Sequence, residues 1–490
     1  MKKLSIKISI LLLSVISITS CSDDFIDVES GDVTSGDFFN TEADYQNALI
    51  GAYDLLQTVN WFAMLSEIAS DNTLAGGESA TDVVGIQEID DMIHTPVNQQ
   101  IRDVWNWMYA GVNRANFILE FQDKIEFQGK EKVLAQARFL RAYYYFELVK
   151  WFGDIPLAVD RQILFGEENS IDRTLASEVY TQIETDLIYA SENLPYTQSE
   201  TGRITKGAAQ ALLGKAYLYQ EKFTESAQVL EDLIANGPHD LVADYTIIFE
   251  QEGENNVESV FEVQHTDIQG AGFGCFQCSE GNIAVGFSGI RNYEGPDFSS
   301  GFSFNVPTQE AYDAYANDDP RRDVAILDID AWAAQTGATY GIGYEHTGYF
   351  NRKYIPRKRV SGAQPDLNLT NPNNYRAIRF ADVLLMAAEA LNRGAISDVR
   401  AQDYLNRVRI RGFGDSDHNI TSTGSALTNA IYNERRIELL GEGHRFFDLV
   451  RTGRAASEID GFVTNKHELF PIPAIEIQLA GNRWTQNPGY

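Results

Sequence analysis

Cysteine is scarce in this sequence, three in 490 residues, so neither a disulfide framework nor a conventional structural zinc site can organise the fold. The seven histidines are scattered without the spacing of metal ligands. Positive charge is also in short supply. Lys and Arg number 39 against 70 Asp and Glu, and the formal charge of −31 excludes general attraction to nucleic-acid phosphates or anionic lipid headgroups. No motif for a cofactor is present, and no obligatory metal is expected. What remains, 44% apolar and 22% charged residues, is the composition of a globular protein held by packing.

The first twenty residues stand apart. Lys2, Lys3 and Lys7 precede an apolar run from Ile8 to Ile18 that is too short for a comfortable membrane span, the pattern of a secretory signal. The run ends in Ile18-Thr19-Ser20-Cys21, which resembles a bacterial lipobox, so residues 1–20 are expected to be removed and Cys21 to carry lipid. Each buried CH₂ of an acyl chain contributes roughly 0.8 kcal/mol, and two or three chains suffice for stable anchoring. Ser22-Asp23-Asp24 resembles the acidic tag of surface-exposed Bacteroidetes lipoproteins, and residues 21–40 read as the tether.

From Thr41 to Gly237 apolar positions recur at helical spacing with few prolines. Val133, Ala137, Leu140, Tyr144, Leu148 and Trp151 form one stripe, and Phe139, Tyr143 and Phe146 lie beside it, so this helix must be packed on more than one side. Leu213 to Ser226 resembles a tetratricopeptide helix–turn–helix in which Gly214 and Ser226 allow close helix contact while Tyr217 and Phe223 fill the gap. Further helices are expected over Phe380–Asn392, Arg400–Arg411 and Ala426–Leu440. Between His239 and Tyr375 the texture changes to glycine-punctuated, aromatic-rich sequence, typical of functional loops, with a few short strands such as Val257 to Gln264. The expected fold is mainly α: a tetratricopeptide-like scaffold of helical pairs carrying long loops. It divides into a helical half, 41–237, and a second half, 238–490, whose segment 239–375 carries the loops.

Cys275 and Cys278 have a spacing shared by redox motifs, zinc half-sites and local disulfides. The loop offers no clear helix N-terminus to activate a thiol, and His265 alone does not complete a zinc site, so a loop-stapling disulfide is the expectation. Acidic neighbours such as Glu88, Asp90 and Asp91 occur by chance among 70 acids and do not indicate a glycosidase. The run Asn317-Asp318-Asp319 lacks the ligand spacing of an EF-hand. Glu434, Arg435, Arg436 and Glu438 are read as an internal ion-pair lattice tied to Arg445 and Asp448. Arg352, Lys353, Arg357, Lys358 and Arg359 read as a local basic patch.

Several separated motifs together resemble the SusD/RagB family of Bacteroidetes outer-membrane lipoproteins. They include Thr41-Glu42-Ala43-Asp44-Tyr45, Ser70-Asp71-Asn72, Asn113-Arg114-Ala115-Asn116, Ala137 to Phe146 and Gly153-Asp154-Ile155-Pro156-Leu157. They continue with Pro307-Thr308-Gln309-Glu310, Asp319-Pro320-Arg321-Arg322, Arg379 to Leu385, Glu434 to Leu439, Glu442-Gly443-His444-Arg445, Pro471-Ile472-Pro473 and Gln486 to Tyr490. The resemblance implies a non-enzymatic protein on the outer face of the outer membrane. Its helices would pack on a SusC-like TonB-dependent transporter, and its loops would capture oligosaccharide or polysaccharide. Peptide capture by a RagB-like import subunit and a surface glycoside hydrolase are the alternatives. Thr452, where members often carry an aromatic, and the Cys275–Cys278 loop depart from the family pattern.

Sugar recognition needs aromatic faces for the CH surface of a pyranose and planar polar groups for its hydroxyls. The resemblance places ligand contacts after Ser70-Asp71-Asn72 and before Pro307-Thr308. The expected glycan-binding residues are therefore Trp61, Asp71 and Asn72 from the first half and Phe276, Phe287, Arg291 and Tyr293 from the second. Tyr344, exposed by the glycines of Gly341-Ile342-Gly343-Tyr344, is added to them.

Overall fold

The computed structural model describes residues 38–490 apart from 165, 269–271, 359–365 and 367. The signal segment, the lipid attachment at Cys21 and the tether up to residue 37 lie outside the described residues. The first helix, α1 (Glu42–Asp54), begins where the sequence motif suggests. Thr41 caps it by accepting from the Asp44 N–H, and the Asp44 carboxylate accepts from the Thr41 N–H at 2.8 Å, a reciprocal capping box. Then come α2 (Val59–Ile68), the short strand β1 (Thr73–Gly76), and the two long helices α3 (Gln99–Glu120) and α4 (Lys130–Phe152).

Helix α4 is buried on nearly its whole circumference because it packs against α1, α3 and α5 (Ala176–Asn193) at once. All six residues of its predicted stripe are buried. Next, α6 (Lys206–Tyr219) and α7 (Phe223–Asn236) form the predicted hairpin. A Cβ on Gly214 would lie 2.4 Å from Leu230 Cδ2, and the Ser226 hydroxyl donates to the Gly214 carbonyl at 2.8 Å. The small residues are thus where the two helices touch.

After this hairpin the chain leaves the helical stack. It forms β2 (Ser259–Val263), a series of loops, and β3 (Phe304–Pro307), and it returns through β4 (Tyr375–Arg379). The stack resumes with α8 (Phe380–Arg393), α9 (Asp398–Phe413) and α10 (Gly424–Leu439). Helix α8 packs directly on α7, so the scaffold is continuous in space although segment 237–379 interrupts it in sequence. Strand pairings tie the excursion down: β2 pairs antiparallel with β4, and β1 pairs antiparallel with β3 through Thr73↔Pro307, Leu74↔Val306 and Gly76↔Phe304. The excursion also has a small core of its own, in which Ile290, Tyr293, Phe298, Leu327 and Phe350 pack together.

The charged motifs of the C-terminal half are interior structure. Arg379 donates to Glu258 at 2.6 Å, to Glu438 at 3.0 Å and to Glu442 at 2.7 and 2.8 Å, all buried. Glu438 also accepts from Arg321 and Arg411. Burial alone would raise its pKa, but Arg411, Arg379 and Arg321 outweigh it and hold the carboxyl well below the usual range. Asp319 is taken up by Arg321 at 2.7 Å. The expected basic patch is not a patch. Lys353 is buried against Glu442 at 2.7 Å, Arg357 is held by Glu250 at 2.7 and 2.8 Å, and Arg352 donates to the Asp323 carbonyl. Buried cations need partners, and an acidic chain supplies them. Arg359 lies outside the described residues.

Candidate functional site

The pairing of β1 with β3 brings the segment after Ser70-Asp71-Asn72 beside the segment before Pro307-Thr308, the two regions expected to carry ligand contacts. Loop 76–82 then runs over this junction and meets residues 290–293 and 340–346. The approach is close enough to require glycine. A Cβ on Gly76 would lie 2.2 Å from the Ser303 carbonyl oxygen, and one on Gly343 would lie 2.6 Å from that of Gly77. Backbone hydrogen bonds lock the segments together: Gly77 N–H to Ser303 at 2.8 Å, Tyr344 N–H to Gly77 at 2.9 Å, and Gly341 N–H to Arg291 at 2.7 Å.

Arg291 sits at the centre of this junction with 19% of its side chain exposed. It donates to the Phe302 carbonyl at 3.2 Å and faces Glu78 and Asp82, each at 3.7 Å. These separations are longer than direct hydrogen bonds, so guanidinium and carboxylates keep hydrogen-bonding capacity for a ligand hydroxyl approaching from the open side. The Glu78 side chain is largely exposed, as is Asn292. Tyr344 is 37% exposed and Tyr340 is half-buried. The junction therefore combines guanidinium, carboxylate and amide groups with the exposed Tyr344 ring, while Tyr340 packs against the small core and donates its hydroxyl to Asp330.

Beneath it lies an acid pair. Asp90 accepts from the Ala75 N–H at 2.7 Å, and Glu345 accepts from the neighbouring Gly76 N–H at 3.4 Å. Burial, reinforced by the nearby Glu345 and Asp91, pushes the Asp90 carboxyl up to about 8, and burial also raises Glu345. The pair therefore holds a proton at neutral pH, directly under loop 76–82.

Of the eight expected glycan-binding residues, this surface unites Arg291 and Tyr344. The others lie elsewhere. Trp61 is 1% exposed, with its ring centroid 4.7 Å from that of Phe287 and 5.6 Å from that of Phe276. Phe287 is buried on the short helix Ile283–Phe287, and Phe276 is half-buried over Trp61. Tyr293 belongs to the small core, where its hydroxyl donates to the Pro296 carbonyl at 2.7 Å and accepts from the Trp332 N–H at 2.9 Å. Asn72 is buried between Glu67 and Arg436, and Asp71 is clamped by Arg445. Five of these side chains are covered or engaged by distant segments, while Phe276 stays half-buried at the edge of the Trp61 cluster, 6.2 Å from the Phe273 ring.

Asn292 lies in the aromatic-rich segment 273–302 that the sequence marks for sugar contacts, whereas Glu78, Asp82 and Tyr340 were not singled out, and short acidic loop residues carry no signal that would have done so. Phe273 was missed although a signal existed. It lies between Gly272 and Gly274, as Tyr344 follows Gly343, and is 62% exposed, its ring 5.9 Å from that of Phe302. Cys275 and Cys278 are joined in a disulfide, with Cα atoms 5.4 Å apart. His265 is half-buried, with both ring nitrogens shielded from water, and this desolvation pushes its imidazole down to about 4.

Comparison with known proteins agrees with this architecture. The SusD family model matches residues 257–490, and a model described as starch-binding, associating with outer membrane, matches residues 24–218. A laminarin-binding SusD-like protein of known structure is 36% identical, covers 92% of this chain and 100% of its own, and superposes with a TM-score of 0.85. Surface glycan-binding protein A from Bacteroides thetaiotaomicron, solved in complex with laminarihexaose, is 27% identical over 91% of this chain and 100% of its own, with a TM-score of 0.81. SusD-like protein P2 from Formosa agariphila is 29% identical over the full length of both chains. The helical stack, the loop excursion and these matches along nearly the whole chain place the protein in the SusD family.

Proposed function

We propose that this protein is a surface glycan-binding lipoprotein that captures oligosaccharide or polysaccharide, of the laminarin type, at the surface formed by Arg291 and Tyr344. It acts by stacking and hydrogen bonding, without catalysis. The lipid on Cys21 holds it at the outer membrane, and it delivers its glycan to a SusC-like TonB-dependent transporter. The observation that carries the reading is the convergence of loops 76–82, 290–293 and 340–346. They set an arginine, two carboxylates and the exposed Tyr344 ring around one junction, in a chain whose 36%-identical relative is a laminarin-binding protein. Aromatic faces with planar polar groups are the complement of a pyranose. A capture protein must also release, so affinity is expected at about −4 to −8 kcal/mol, millimolar to micromolar.

Affinity electrophoresis of residues 22–490 in gels containing laminarin or other polysaccharides tests this. Retardation by laminarin is expected, with loss in Tyr344→Ala and Arg291→Ala variants that remain folded. Absence of retardation by every glycan overturns the capture reading. Retardation untouched by both variants overturns the assignment of the site.

A further inference from the structure

A second cavity, of about 300 Å³, opens on the helical half. It contains none of the residues that form the Arg291–Tyr344 surface. One wall is a stripe of α3 bearing Trp105, Asn106 and Tyr109, and the other carries Glu168, Glu476 and Trp484. The Trp105 ring lies 4.9 Å from that of Tyr109 and 6.0 Å from that of Trp484, centroid to centroid, so aromatic surface frames the cavity.

Glu476 is the anomalous member. Only 9% of the residue is exposed, yet among the described residues its carboxylate accepts no hydrogen bond and forms no ion pair within 4 Å. Arg102 attracts it through space, Glu168 repels it, and burial raises its pKa above the ordinary value. Among the described residues no Lys or Arg lines the cavity. The Glu476 carboxylate therefore opens into the cavity itself, with no cation among the described residues within 4 Å, and is free to pair with one from outside the chain. A neutral sugar would supply hydrogen bonds but would leave the charge of Glu476 uncompensated. Aromatic rings beside a carboxylate favour ammonium and guanidinium groups, and the volume admits one extended side chain.

We propose that this cavity binds a guanidinium or ammonium group carried on an alkyl stem, with Glu476 as its counter-ion and Trp105, Tyr109 and Trp484 around the stem. The site is independent of glycan capture, and a polypeptide side chain and a small amine share the required chemistry.

The test is isothermal titration of residues 22–490 with N-acetyl-arginine methylamide, with agmatine, and with the neutral N-acetyl-citrulline methylamide. Binding of the cationic probes in about the millimolar range is expected, with the citrulline compound at least tenfold weaker. Glu476→Gln should weaken the cationic probes tenfold or more, and Asn106→Lys, which supplies an internal cation, should abolish their binding. Tighter binding of the arginine compound than of agmatine supports the site and assigns it to a polypeptide side chain; the reverse order supports it and assigns it to a small amine. Equal binding of the citrulline compound, affinity unchanged by Glu476→Gln in a folded variant, or no heat with either cation overturns the proposal. Retention of laminarin retardation in both variants distinguishes its failure from failure of the glycan reading.

Discussion

Arg445 holds Asp71 with two hydrogen bonds of 2.7 Å, from Nε and Nη2 to the two carboxylate oxygens, and so ties the two halves of the chain together. Arg436 adds a third contact to Asp71 at 3.0 Å and donates to Asn72 at 2.9 Å. The Ser70-Asp71-Asn72 motif therefore anchors the root of β1, and the surface proposed for glycan lies further along the same strand. Asp71→Ala removes the common partner of two largely buried arginines and is expected to cost about 3–5 kcal/mol of unfolding free energy. Chemical denaturation measures this. Below the lowered melting temperature, laminarin retardation should be retained, because Asp71 acts on the framework.

Trp61 and Tyr344 should give opposite signatures. Trp61 is enclosed by Phe276 and Phe287, so Trp61→Ala leaves a cavity and is expected to destabilise by about 3–5 kcal/mol. Tyr344 is exposed, so Tyr344→Ala should change stability by less than about 0.5 kcal/mol while abolishing glycan retardation. Parallel melting curves and affinity gels check both. A Trp61→Ala variant of native stability that has lost its glycan would reverse the assignment.

The acid pair under loop 76–82 predicts a pH dependence. In the unfolded chain an aspartate titrates near about 3.9, whereas burial raises folded Asp90 to about 8. The folded state thus binds the proton more tightly. The stabilisation from this group is fully present below the unfolded value and is lost as pH rises through about 8. Asp90→Asn keeps an acceptor for the Ala75 N–H without the charge. Its melting temperature should increasingly exceed that of the parent protein between about pH 5 and about pH 8.5, as followed by scanning fluorimetry. A constant difference across that range would contradict the protonated pair.

Gly214 tests the helical hairpin. A side chain there meets Leu230 at 2.4 Å, and the Ser226 hydroxyl already bonds the Gly214 carbonyl. Gly214→Val is expected to cost about 1–3 kcal/mol by overpacking. Gly129, the N-cap of α4, has a positive φ but an added Cβ there would meet nothing within 4 Å, so Gly129→Val brings backbone strain without crowding. It therefore separates backbone strain from crowding when both variants are melted side by side.

Much of the scaffold was legible because its information is local. The stripe from Val133 to Trp151, the capping residues Thr41 and Asp44, and the small pair Gly214 and Ser226 each act within one helix or one hairpin. The lattice around Glu434, Arg435, Arg436 and Glu438 was also legible, since charged residues on a helix rich in buried positions must find partners. Arg352, Lys353 and Arg357 were misread as a patch because their acidic partners, Glu250 and Glu442, lie far along the chain.

The candidate surface was legible only in part. Gly343 announced the exposure of Tyr344, and Gly272 and Gly274 announced that of Phe273. Nothing adjacent to Trp61 or Phe287 announces that each will be covered by the other. The sequence by itself determined where helices begin, which faces they bury and where close contacts need glycine or serine, because these depend on spacing along a few turns. Tertiary structure alone decided which aromatics face water, that β1 pairs with β3 beside Arg291, and that Glu476 lines a cavity with no cation among the described residues within 4 Å. Exposure and charge compensation are properties of whichever distant segments come to lie against a side chain.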